Sequence, residues 1–169
     1  MYLMVVLLIS LTGTAVLTDL RDRVIPNDLI VTGLFCGLTG QIFIRGMRGA
    51  ADWAGGAVMP LLVLGILFYF RMMGAGDIKL LCMIGGFLGS RYSLQCIFYS
   101  ILCGGAVSAV LIIKRNNLYS RLFYFKTYVE LFVKTKQWSS YLCGNDEDGR
   151  FCFSVPVLMG LFCTLGGVL

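Results

Sequence analysis

The sequence predicts an all-α, polytopic membrane protein with about six transmembrane helices and a cytoplasmic amphipathic segment. Three observations predict it. Of 169 residues, 58% are hydrophobic and only 14% are charged, against roughly 25% charged in a soluble domain. The mean hydropathy is +0.84. The apolar residues also gather into runs of membrane-spanning length, parted by short charged or glycine-rich stretches. No internal repeat or low-complexity tract divides the chain, which reads as one integral-membrane domain over 1–169.

The first span is expected over 2–18. Nothing basic precedes Arg21, so this run lacks the charged start of a signal peptide and is read as a retained span. It closes in Asp19-Leu20-Arg21-Asp22-Arg23. In the Ile25-Pro26-Asn27-Asp28 turn that follows, Pro26 disfavours helical geometry at Ile25. Asn27 or Asp28 then caps the second span, about 29–44. Glycines at 33, 37 and 40 let a neighbouring helix come close. The third span covers about 51–70, with Asp52 and Trp53 read as residues of the membrane interface.

A glycine-rich break leads into a short fourth span, about 78–88, and the fifth covers about 94–113. The polar region 118–150 is a cytoplasmic loop, and its 119–133 part reads as a helix lying on the membrane surface. The sixth span is 151–169, interrupted by Pro156 and Gly160. With the amino terminus outside, only Arg45, Arg48 and Arg91 of the fourteen basic residues fall in outer loops. Short basic loops stay cytoplasmic, so six spans have both termini outside, and Asp19 and Asp77 share the cytoplasmic side. The net charge of +5 then faces an anionic leaflet. It calls for a lipid bilayer as partner and for no nucleic acid.

The chain has no histidine. That removes Ser/His and Cys/His catalysis and histidine-based zinc sites. The seven cysteines form no C-x-x-C pair, so neither a metal site nor a disulfide framework is expected. Five of them, Cys36, Cys82, Cys96, Cys103 and Cys163, lie in apolar runs and read as small buried hydrophobes. No cofactor is called for.

The chain is organised around Met72-Met73-Gly74-Ala75-Gly76-Asp77-Ile78-Lys79-Leu80. An ionisable residue at the edge of a hydrocarbon-length run marks a functional site. Gly74 and Gly76 are free to take positive φ, which suits a helix break presenting Asp77 to water. Asp19, at the end of another span on the same side, completes a pair. Two close carboxylates cannot both ionise cheaply, so they share one proton. One then draws a proton from water while the other protonates a carbonyl oxygen or a leaving amine, the logic of an aspartic peptidase.

These residues carry a family resemblance. Asp19-x-x-x-Arg23-x-Ile25-Pro26-Asn27 and Gly74-Ala75-Gly76-Asp77-Ile78-Lys79-Leu80 are similar to the two motifs of type IV prepilin peptidases and archaeal preflagellin peptidases. These are membrane aspartic peptidases of the G-x-G-D type. The likeness is good over 1–113 and loose beyond, where Pro156 and Gly160 resemble a small-residue segment near the family's carboxyl end. It implies that Asp19 and Asp77 are the catalytic pair, with Asp22 the rival to Asp19. It further implies that Arg23 and Lys79 are supporting charges, with Gly74, Gly76, Pro26 and Asn27 shaping the site. Cleavage of a basic leader from prepilin-like substrates would follow, at the cytoplasmic face of the inner membrane.

Longer members are two-function enzymes with paired cysteines. This chain resembles the short, peptidase-only members. The acidic cluster Asp146, Glu147 and Asp148 reads as a solvated loop or a contact for the leader. Other readings are a small ion- or proton-coupled transporter or channel subunit, an assembly scaffold, and a G-x-G-D protease of broader range. The sequence does not set the oligomeric state.

Overall fold

A computed structural model describes residues 2–69, 73–114 and 152–167. The expected surface helix at 119–133, the rest of the 118–150 loop, Cys143 and the acidic cluster lie outside the described residues. The described residues form six α-helices: α1 (Tyr2–Asp22), α2 (Asn27–Arg45), α3 (Met47–Tyr69), α4 (Ala75–Leu88), α5 (Ser90–Lys114) and α6 (Ser154–Gly166). They belong to two compact units. One holds Met1–Gly104 with Cys152–Leu169, and the other, Gly105–Phe151, contributes only the end of α5 among the described residues.

Four helices, α1, α2, α3 and α5, are long and apolar enough to cross a membrane. The chain is a multi-pass membrane protein. Large apolar side chains such as Leu3, Phe35, Phe43 and Leu62 point outward from these helices, as expected where the surrounding solvent is lipid. The other two are shorter. At 1.5 Å per residue, the 14 residues of α4 rise about 21 Å, less than the ~30 Å hydrocarbon core.

In α4, every residue from Leu80 to Phe87 is buried. A helix apolar on all sides belongs in the middle of its fold, and α4 is packed by α1, α2, α3 and α6. Its Ile78, Leu80, Leu81, Met83, Ile84 and Phe87 form one core with Leu8 and Ala15 of α1, Ile30 of α2, Leu64 of α3 and Val157 and Leu161 of α6.

Small residues let these helices come together. A Cβ on Gly56 of α3 would lie 2.0 Å from the Gly85 carbonyl oxygen, and one on Gly85 would lie 2.1 Å from that of Gly56. Backbone therefore touches backbone where α3 crosses α4. Gly33 and Gly37 on α2 make room for Met83 and Phe87 of α4, and Gly40 for Met4 of α1. The expected close approach of the second span thus admits side chains.

Polar side chains also tie the helices to one another's main chain. Gln41 donates to the Phe87 carbonyl at 2.6 Å, Trp53 Nε1 to Leu34 at 3.1 Å and Ser93 to Gly56 at 3.0 Å. The Phe87 carbonyl belongs to the last turn of α4, where no helical amide remains to meet it.

Several expected boundaries move. α1 continues to Asp22, so Asp19 lies in a helical turn. α3 starts at Met47, which places Asp52 and Trp53 inside it. Trp53 packs against α4, with its indole nitrogen 2.8 Å from where a Cβ on Gly86 would stand. Asp52 pairs with Arg45 at 3.1 Å across the α2–α3 turn. The expected interruptions at Pro156 and Gly160 do not break α6. Pro156 falls in its first turn, where a missing N–H costs nothing. Gly160 accommodates the backbone of Ser100, since a Cβ there would lie 2.7 Å from the Ser100 nitrogen. Of the five cysteines in apolar runs, Cys82 and Cys96 are buried, Cys36 and Cys103 half-buried, and Cys163 is exposed.

Candidate active site

The site is assembled at one end of the first unit by three helix termini: the last turn of α1, the first turn of α4 and the start of α6. The turn from α1 to α2 closes it.

Asp77 is the third residue of α4, whose N-cap is Gly74 with φ −72° and ψ 145°. Its carboxylate folds back to accept the backbone N–H of Gly74. This is half of a capping box, in which a residue of the first turn satisfies the amide at the helix start. A Cβ on Gly74 would lie 3.2 Å from Asp77 Oδ2, so the glycine keeps the space through which the carboxylate returns.

The expected positive φ is not found here, since the positive-φ glycines among the described residues are Gly46 and Gly89. Those two end α2 and α4. Gly76 lies against Ile25, with 3.5 Å from an added Cβ to Ile25 Cδ1, an ordinary contact. Space alone therefore does not demand glycine at 76.

Asp77 sits ahead of the apolar run of α4 and is half-buried. Burial, and next the charge of Asp19, raise its pKa from 3.8 to about 6, against the lowering effect of the Gly74 amide. The two aspartates, 58 positions apart in sequence, are therefore close enough to interact electrostatically. Asp22 is exposed at the end of α1 and is not among the groups acting on Asp77.

Asp19 is half-buried and accepts a 2.5 Å hydrogen bond on Oδ2 from the Ser154 hydroxyl. The Asp19 carbonyl accepts the N–H of Arg23 at 3.0 Å and faces the Cys152 thiol at 3.9 Å. Arg23 has φ 53°, a left-handed conformation uncommon for a residue with a side chain. It terminates α1 directly after the turn bearing Asp19. Cys152 lies before α6, and burial, then the charge of Asp19, push its thiol upward.

Lys79 meets neither aspartate in a hydrogen bond or ion pair. Its ammonium donates to Asn27 Oδ1 at 2.8 Å. The start of the second turn of α4 is thereby tied to the first residue of α2. The expected side-chain cap on α2 is absent: the N-cap is Pro26, with no side-chain capping bond. Asn27 is occupied by Lys79 instead. Pro26 holds φ −61° and ψ 132°, the extended backbone that delivers Ile25 to Gly76 and Asn27 to Lys79.

Ser154 and Cys152 were missed by sequence reasoning. They lie 135 and 133 positions from Asp19, and no spacing rule links them to it. Ser154 sits among apolar residues, where a serine ordinarily bonds the preceding helical turn. Among the described residues, no three His, Cys, Asp or Glu side chains converge as metal ligands would.

Residues 5–109 match the model of the type IV leader peptidase family. The chain is also similar to a curated protein of Xanthomonas campestris pv. campestris, described as a prepilin leader peptidase/N-methyltransferase. The two are 25% identical over 143 residues, which cover 80% of this chain and 48% of the relative. The chain thus spans about half the length of that relative. No solved structure matches the chain.

Proposed function

Since this chain belongs to the type IV leader peptidase family, we propose that it is a membrane aspartic endopeptidase with Asp19 and Asp77 as its catalytic pair. Its substrates are prepilin-like proteins, cut at the cytoplasmic face of the inner membrane. The observation that carries this reading is the raised Asp77, a half-buried carboxyl that feels the charge of Asp19.

A neutral carboxylic acid beside an ionised one supplies both halves of peptide hydrolysis. The Asp19 carboxylate takes a proton from water as the oxygen attacks the scissile carbonyl. Asp77 gives its proton to the carbonyl oxygen. The tetrahedral intermediate collapses when the amide nitrogen receives the proton held by Asp19, the C–N bond breaks, and a hydroxyl proton returns to Asp77. No other nucleophile is needed. Arg23 shapes the end of α1, while Lys79, Asn27, Pro26, Gly74 and Gly76 fix the start of α4. The proposal concerns peptide cleavage alone. The transferase in the relative's description is not carried over, because the sequence shows no cysteine pairs of the kind the two-function members have.

Membranes carrying the chain, incubated with a prepilin, should release a shortened product. Asp19→Asn and Asp77→Asn should each lose at least about a thousandfold in rate while still inserting. Normal cutting by both variants would end the aspartic reading.

A further inference from the structure

Ser154 is the one fully buried hydroxyl among the described residues that is bonded to a carboxylate of the candidate site. Its neighbours hold it in place. Gly160, two turns on, is seated against the Ser100 backbone, and Phe153 lies over Gly104 at 2.6 Å from an added Cβ. Both contacts fix α6 along α5 within the first unit. The serine is thus presented to Asp19 by a helix that packs on α1 and α4 and touches α5 at these two points.

α6 uses no side-chain cap at its N-cap Phe153, and the Ser154 hydroxyl is directed to α1 instead of to its own helix start. A buried hydroxyl aimed at a carboxylate oxygen fixes the carboxylate's rotamer. Asp77 on α4 and Cys152 ahead of α6 both feel the charge of that carboxylate, and Arg23 after α1 acts on Cys152.

We propose that Ser154 is a positioning residue: its hydroxyl orients the Asp19 carboxylate to act as the proton acceptor in peptide cleavage. This rests on the aspartic reading above. It assigns unlike roles to the two acids, Asp19 drawing the proton from water and Asp77 giving one.

The test is the split between kcat and KM for cleavage of a prepilin by the full chain in membranes. Loss of a hydrogen bond to a charged group should lower the kcat of Ser154→Ala by about tenfold, with KM held within about twofold. Ser154→Gly adds no atom and should give the same split, while Ser154→Thr keeps the hydroxyl and should restore most of kcat. Thr164→Ala removes another buried hydroxyl of α6, one that bonds within its own helix, and should leave both constants in place. An unchanged kcat in Ser154→Ala and Ser154→Gly, or a loss carried by KM, overturns the proposal. If instead Asp19→Asn and Asp77→Asn still cut, it is the aspartic pair that fails. Inactive aspartate variants with an unchanged kcat in Ser154→Ala remove the serine's role alone.

Discussion

At the scale of single residues, Asp77 couples folding to chemistry. Its folded pKa of about 6 lies above the ordinary 3.8. The native chain therefore binds this proton more tightly than the unfolded one, and stability falls as pH rises from about 4 through 6. Asp77→Asn keeps an oxygen for the Gly74 amide and removes the ionisation. We expect its Tm to exceed wild type by about 2–5 °C at pH 7.5 and to match it at pH 4, in thermal melts of detergent-solubilised protein. In the mechanism proposed above the same group must be neutral to donate. The kcat/KM of wild type should therefore fall tenfold per unit above about pH 6, read from initial cleavage rates.

The G-x-G-D string pointed to Asp77, because a carboxylate beside an apolar run is conspicuous in any sequence. What it could not say was how the glycines serve. Gly74 leaves room for a carboxylate returning to the helix start, a relation visible only once that helix is known to begin at 75. Lys79, read as a supporting charge, holds Asn27. An ammonium's partner is set by tertiary geometry, and the positions 27 and 79 share no helical face from which it could be read.

At the scale of elements, the α3–α4 crossing governs packing. Gly56→Ala should destabilise the fold by about 3 kcal/mol or prevent assembly, since the added methyl meets backbone that has no rotamer to change. Gly65, also on α3, has nothing within 4 Å of an added Cβ. Gly65→Ala should then be neutral or stabilising by up to about 1 kcal/mol. Unfolding in mixed micelles measures both, and equal effects at the two positions would refute the backbone contact as the cause.

The helices themselves were legible, because hydrocarbon-length apolar runs admit little else. Their ends were not. α1, α3 and α5 each extend into charged or polar residues assigned to turns, since the helical hydrogen-bond ladder continues past the lipid boundary wherever Asp, Arg or Ser can be solvated. Trp53 illustrates the same limit. An interfacial indole and one packed over a glycine of a neighbouring helix have the same sequence signature.

At the scale of the whole molecule, the distribution of basic residues predicts an orientation, and it is open to direct test. In a cysteine-free background, Asn27→Cys should react with a membrane-impermeant maleimide from the cytoplasmic side and Met47→Cys from the opposite side. Both positions are exposed, Asn27 at the start of α2 and Met47 just past its other end, at the start of α3. Reversed labelling would place the aspartates on the wrong side of the membrane for a cytoplasmic leader.

The burial of α4 has a consequence for how the protein meets different membranes. Bilayers of unequal thickness act on the helices that lipid touches, tilting or stretching them to relieve mismatch. The residues of α4 from Leu80 to Phe87 touch only protein, so the depth of the Asp77 carboxylate is set by its neighbours and not by acyl-chain length. Turnover in reconstituted vesicles should accordingly change little between short-chain and long-chain lipids, while the outer helices adjust around an inner post of constant height.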